Sequence, residues 1–231
     1  MAAQAKSSHA GCVSLVPIFN HLDQESMNKI ASKANTKQLK RGEYLYQAMD
    51  KDDSIYIVHR GQVRIFRLAE SGKEQLIRVL NPGDFTGEST IFSEDTYHDH
   101  FAEATKKTSI CAIHRENLQE LLDDYPEISM KILQSMSDRL QQSEKQTASV
   151  AIEQVTNRII YYLEDLAEPH MEDEVTVKLP MTRKDIASYL GTTPETLSRK
   201  FKELEEEDLI NQLPKNKIHI PSVEELLFTA L

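Results

Sequence analysis

The chain has 231 residues, enough for one large or two modest domains, and its hydrophobic fraction of 39% supplies real cores. Two cysteines, Cys12 and Cys111, are too few for a secreted disulfide scaffold, and no apolar run approaches the ~18 residues of a membrane span. The net charge of −10 argues on average against a nucleic-acid partner, but DNA meets a local field, so the positive residues must be located before that partner is excluded.

In chain order, the opening MAAQAKSSHAGCVSLVPIF has no proper signal-peptide core, because Ser14 and Pro17 interrupt it. A cytoplasmic location is expected, with both cysteines as inert small hydrophobes by default. After Arg41 the pattern becomes strand-like. SIYIVHRGQVRIFRL alternates around Arg60-Gly61 and predicts a hairpin there. Ser71-Gly72 marks another turn before EQLIRVL, and Asn81-Pro82-Gly83 a loop. HFAEA and SICAI add two short strands. Many short strands with glycine turns predict a jelly roll or barrel.

The character changes at Glu116. From Ile128 to about Val150 there is no Gly or Pro, and Leu133, Met136, Leu140, Ser143, Thr147 and Val150 alternate at spacings of three and four. Such a seam on a polar helix predicts a contact between two chains, with packing on its own barrel as the alternative. A hinge is expected near Ile152 to Val155, with Thr156 capping the amphipathic helix in TNRIIYYLEDLAE. EPHMEDE reads as an acidic loop, and the chain beyond it as helical to Leu209. DLINQLPKNKIHIPS then gives two strands around Pro214-Lys215-Asn216.

Within that last third, Thr182 with Asp185 three residues on is a cap-box-like start, and Ile186, Ala187 and Leu190 supply an apolar face. After Gly191, Thr193-Pro194 starts a second helix. Leu197, Phe201 and Leu204 fall on one side of it. Glu195, Ser198, Arg199 and Lys202 fall on another, with stripe centres roughly 140° apart. Two short helices around a tight turn, followed by a hairpin, describe a winged helix-turn-helix. Arg pairs bidentately with guanine, Glu accepts from cytosine and Ser serves either, while Lys202, Lys200 and Arg183 suit phosphates. Glu195 and Arg199 are also an i, i+4 pair able to hold one another, and the acidic KELEEEDLI is expected to face away from DNA.

The order of β-roll, long helix and winged helix-turn-helix resembles the CRP/FNR transcription regulators over nearly the whole chain, most specifically in MTRKDIASYLGTTPETLSRKF. The resemblance implies an α+β fold with a cyclic-nucleotide-binding-like β-roll (1–125), a dimerisation helix (126–151) and a DNA-binding domain (152–231). It implies a regulator and not an enzyme: a homodimer reading a TTGAT-type inverted repeat through Glu195, Ser198 and Arg199. Thr182, Arg183 and Thr193 would hold phosphates, RNA polymerase would be a further partner, and no membrane is involved.

The signal is read by the same resemblance. In GDFTGESTIFSEDTYHDHFAEA, Gly87 and Glu88 match the family's cyclic-nucleotide pocket, but His98 and Asp99 stand where Arg and Ser/Thr hold the phosphate, so cyclic AMP is not expected. An iron–sulfur cluster is not expected either, since such clusters usually take four thiolates. The pair Cys12 and Cys111 is similar to that of two-cysteine FNR-like proteins of Gram-positive bacteria, in which a disulfide acts as a redox switch. A competing reading uses His98, His100 and Glu103. Their H-x-H-x-x-E spacing resembles part of the cupin metal motif and suits Zn, Fe or Ni in a metal sensor or metalloenzyme.

Overall fold

The computed structural model describes residues 16, 18–20, 22–92, 97–167 and 173–230. The chain divides into two units, Met1–Arg139 and Leu140–Leu231. Among the described residues no helix is long and apolar enough to cross a membrane.

The first helix among the described residues is α1 (Gln24–Lys33), whose start is fixed by Asp23 accepting the Ser26 N–H at 2.7 Å. The strands β1 (Asn35–Leu39), β2 (Tyr44–Tyr46), β3 (Ser54–Arg60), β4 (Val63–Leu68), β5 (Glu74–Leu80) and β6 (Phe85–Thr86) follow. The short α2 (Glu88–Phe92) leads to β7 (Phe101–Ala104) and β8 (Thr108–His114). They form two antiparallel sheets, ordered β1-β8-β3-β6 and β2-β7-β4-β5. Between the sheets lie Leu45, Val58, Val63, Ile65, Leu80 and Ile110. The outer side of the first sheet buries Ile55, Ile57, Cys111 and Ile113 against Phe19, Ile30, Leu118 and Ile128.

Two expectations for this unit are corrected. The Arg60-Gly61 turn does not make a hairpin, because β3 and β4 belong to different sheets. Gly61 (φ +101°) is where the chain crosses between them, and a Cβ there would lie 2.6 Å from the Lys107 carbonyl oxygen. Alternation tells which side chains turn inward, not which strand is the neighbour. Strands also begin before Arg41: β1 is a polar edge strand with only Leu39 buried, so it carries no hydrophobic signal. Ser71-Gly72 does close the β4–β5 hairpin, through Ala69 N–H to the Lys73 carbonyl at 2.9 Å.

After α3 (Arg115–Asp124) comes the 27-residue α4 (Pro126–Ile152). Its first turns bury Ile128 and Ile132. Farther along, Leu133 and Leu140 remain 59% and 61% exposed, and Ser143, Thr147 and Val150 are exposed too, whereas Met136 of the same seam is partly buried against the core of the first unit.

In the second unit α5 (Val155–Ala167) starts just after a break at Glu153-Gln154. Thr156 is therefore its second residue and not its cap. The expected helix beyond the acidic loop is also corrected, because Val175–Lys178 is a strand, β9. The elements α6 (Arg183–Tyr189), α7 (Pro194–Glu206), β10 (Asn211–Leu213), β11 (Lys217–Ile220) and α8 (Val223–Phe228) complete the unit. The sheet is β10-β11-β9, with buried Val175 opposite Ile220 and Val177 opposite Ile218. That alternation over four residues is too short to override a helical context on sequence alone. A single core joins α5, α6, α7 and this sheet through Ile159, Leu163, Ile186, Leu197, Phe201 and Ile218.

Candidate nucleic-acid interface

The two helices of the turn are fixed by their caps. The Asp185 N–H donates to Thr182 Oγ1 at 3.2 Å, and the Thr182 hydroxyl donates back to the Asp185 carboxylate at 2.6 Å. Gly191 ends the first helix in the left-handed region (φ +66°), where a Cβ would press on Val150 at 3.0 Å. The Thr196 N–H donates to Thr193 Oγ1 at 3.2 Å, with Pro194 in the first helical position. These bonds orient α7 so that Leu197, Phe201 and Leu204 are buried, while Glu195, Ser198, Arg199 and Lys202 are all exposed. Arg199 and Lys202 have 67% and 73% of their side-chain surface in solvent.

Arg183 is half-buried and tied to the wing. Its guanidinium lies 4.9 Å from the Phe201 ring and donates to Gln212 Oε1 at 2.7 Å. The Gln212 side-chain amide in turn donates to Glu205 at 2.8 Å. Thr182 and Thr193 are exposed caps at the two helix starts.

One electrostatic expectation is corrected. Glu195 does not pair with Arg199. It stays at the helix N-terminus, where its own backbone N–H, then the Thr193 hydroxyl, hold its carboxyl below the usual range. Arg199 instead pairs forward with Glu203, at 3.6 Å. Glu203 also accepts from Lys200 Nζ at 2.5 Å, and Glu206 pairs with Lys202 at 3.2 Å. The i, i+3 and i, i+4 spacings of RKFKELEE carry these pairs in the sequence.

The interior of the β-roll holds a second polar cluster. Glu88 Oε1 accepts from Arg78 at 2.7 Å and from Arg139 at 3.0 Å. Burial alone would raise the Glu88 pKa, but the two guanidiniums outweigh it and hold the carboxyl below its ordinary value. Arg139 also donates to the Phe85 carbonyl at 3.0 Å and lies 4.0 Å from its ring. Tyr46 is hydrogen-bonded to Thr86 at 2.7 Å and to His100 at 2.9 Å. His98 is fully buried, stacked 3.5 Å from Tyr46 and 3.3 Å from the Asp52 carboxylate. Asp99 pairs with Arg67 and His100. Sequence reading missed Arg78 and Arg139, which reach Glu88 from separate elements and share no local motif with it.

His98 and His100 meet around Tyr46, but Glu103 is held elsewhere by Arg64, at 2.6 Å. Among the described residues no three His, Cys, Asp or Glu side chains are grouped to hold a metal ion. Cys111 is fully buried on β8, opposite Thr36 and Ile57, and is disulfide-bonded. Cys12 lies outside the described residues.

Comparison with known proteins matches residues 36–125 to the cyclic nucleotide-binding domain and residues 157–227 to the Crp-like helix-turn-helix domain. The chain is 34% identical to the "Probable transcriptional regulator flp" of Lacticaseibacillus casei, over 93% of this chain and 96% of that one. It is 28% identical to the transcriptional activator protein Anr of Pseudomonas protegens, over 92% and 88%. Its fold is similar to that of a CooA mutant from Carboxydothermus hydrogenoformans, with a TM-score of 0.77 at 18% identity, covering 87% of this chain and 89% of that one. With a nucleotide-binding-type β-roll ahead of a capped helix-turn-helix that offers cations to solvent, the chain belongs to the CRP/FNR family of DNA-binding transcription regulators.

Proposed function

We propose that this regulator works in the cytoplasm as a homodimer on a TTGAT-type inverted repeat. Residues 1–125 form its sensor, 126–151 its dimerisation helix and 152–231 its reading head. Glu195, Ser198 and Arg199 contact base edges, while Thr182, Arg183, Thr193 and Lys202 hold phosphates. RNA polymerase is the machinery it acts on. The observation that carries this reading is the division of α7 into a fully buried apolar stripe and an exposed stripe of Glu195, Ser198, Arg199 and Lys202. Arg199→Ala is expected to cost about 1–3 kcal/mol at the cognate site and to relax preference at one guanine. Lys202→Ala should weaken all sequences alike and flatten the salt dependence. A binding-selection experiment in which Arg199→Ala keeps its site preference would show that α7 is not the reading helix.

The signal in this reading is thiol oxidation at Cys12 and Cys111, and not cyclic AMP. Support comes from the burial and disulfide state of Cys111 at the centre of its sheet, next to the core that receives Ile128 and Ile132 of α4. Further support comes from the guanidinium pair on Glu88 and from the exposed, acidic Asp99 where a phosphate would need a cation. Metal binding has no such support, since Glu103 is committed to Arg64. Oxidant titration is expected to shift DNA affinity of the natural protein, Cys12→Ser and Cys111→Ser to abolish the shift, and cyclic AMP to produce none. Equal affinity of the reduced and oxidised forms would refute the switch.

A further inference from the structure

The helix that must approach a polyanion carries three cations and four carboxylates between Pro194 and Glu206. Each cation has a carboxylate in reach: Glu203 serves Arg199 and Lys200, and Glu206 serves Lys202. Such pairs on a solvated helix add little stability. Their geometry matters more than their strength. Glu203 approaches Arg199 at Nε, 3.6 Å away. The guanidinium is a rigid planar fork, so a carboxylate on its Nε side leaves both terminal nitrogens free to donate in parallel, the arrangement guanine O6 and N7 require.

We propose that Glu203 is a positioning residue for base readout: it aligns the Arg199 fork for guanine and, by its charge, opposes the use of Arg199 and Lys200 as general phosphate contacts. The inference rests on α7 being the reading helix. On the cognate site the Arg199–Glu203 pair persists, because guanine takes the two terminal nitrogens only. On other sequences the helix has only phosphates to bind, and there the carboxylate repels the backbone. Glu203 therefore separates cognate from non-cognate affinity without touching a base. The overall acidity of the chain works in the same direction, by weakening purely electrostatic binding.

The test uses the full-length protein with Glu203→Gln, and with Glu207→Gln as a neighbour that loses the same charge one residue past α7. Binding is measured on a cognate duplex, on one with the contacted guanine replaced, and on unrelated DNA. Glu203→Gln should raise affinity for unrelated DNA about fivefold, the effect of one charge at ~4 Å in water, without raising cognate affinity. Discrimination at the guanine should fall accordingly. In the Arg199→Ala background the same change should no longer alter discrimination. Equal gains on all three duplexes, no change, or the same loss of discrimination in Glu207→Gln would each overturn the proposal. If Arg199→Ala itself keeps full discrimination, the reading helix is wrong. If it loses discrimination while Glu203→Gln does not, only the role of Glu203 fails.

Discussion

Leu140→Glu is expected to give a folded monomer that binds its operator about 10²–10⁴-fold more weakly than the natural protein. Leu133 and Leu140 are large apolar side chains left 59% and 61% exposed on a helix whose neighbouring turns bury Ile128 and Ile132. They share one stripe with Ser143, Thr147 and Val150. In a parallel pair of such helices Leu140 meets its own copy across the two-fold axis. Two facing carboxylates there would repel and would also have to be desolvated. Losing the dimer converts the second half-site contact from an intramolecular event to an independent one, and the loss of effective concentration sets the fold-change. Because Leu140 is exposed in the single chain, the monomer itself keeps its core. Sedimentation velocity and operator binding check both parts. A Leu140→Glu protein that still sediments as a dimer would show that the stripe is not the interface.

Glu88→Ala is expected to destabilise the β-roll by about 2–3 kcal/mol, somewhat below the ~3–5 kcal/mol of a fully buried pair, because these side chains keep some solvent contact. The cost arises less from the lost attraction than from what remains. Arg78 and Arg139 would face each other without the carboxylate that now bridges them at 2.7 and 3.0 Å. Burial, then the charge of Arg78, already pull the Arg139 pKa down. The pH dependence follows in sign. The Glu88 pKa is depressed on folding from its ordinary 4.5, so its contribution is fully present above that value. It is lost as pH falls through the depressed value. Urea unfolding should show a gap between the two proteins at neutral pH that closes in acid. A gap below about 0.5 kcal/mol at neutral pH would mean that water already satisfies the two guanidiniums. Replacing Arg139 by Met in the Glu88→Ala background should recover part of the loss.

The helix-turn-helix was legible because its signals are local. Thr182 and Asp185, Gly191, Thr193 and Pro194 act within one turn of themselves. The stripe of Leu197, Phe201 and Leu204 follows from helical periodicity alone. The long helix was legible for the same reason. Strand pairing was not: the Arg60-Gly61 turn looked like Ser71-Gly72, yet one crosses between sheets and the other closes a hairpin. The β9 strand was missed because its evidence lies in β11, some forty residues away.

The polar clusters divide in the same way. The partner of Arg199 was within reach of the sequence, since Glu195 and Glu203 are both four residues away. The choice fell to Glu203 because Glu195 is held by the free N–H groups at the start of the helix. The convergence of Arg78, Glu88 and Arg139 was out of reach, as was the separation of Glu103 from His98 and His100. In a strand, residues two apart share a face, but where that face points and which charge waits there is set by chain brought in from elsewhere. The sequence by itself determined the helix-turn-helix, the family resemblance it carries and the seam of the long helix, because their signals are spacings between residues near one another in the chain. The tertiary structure alone decided how the β-roll strands pair and which charges meet inside it, because those contacts join segments that only folding brings together.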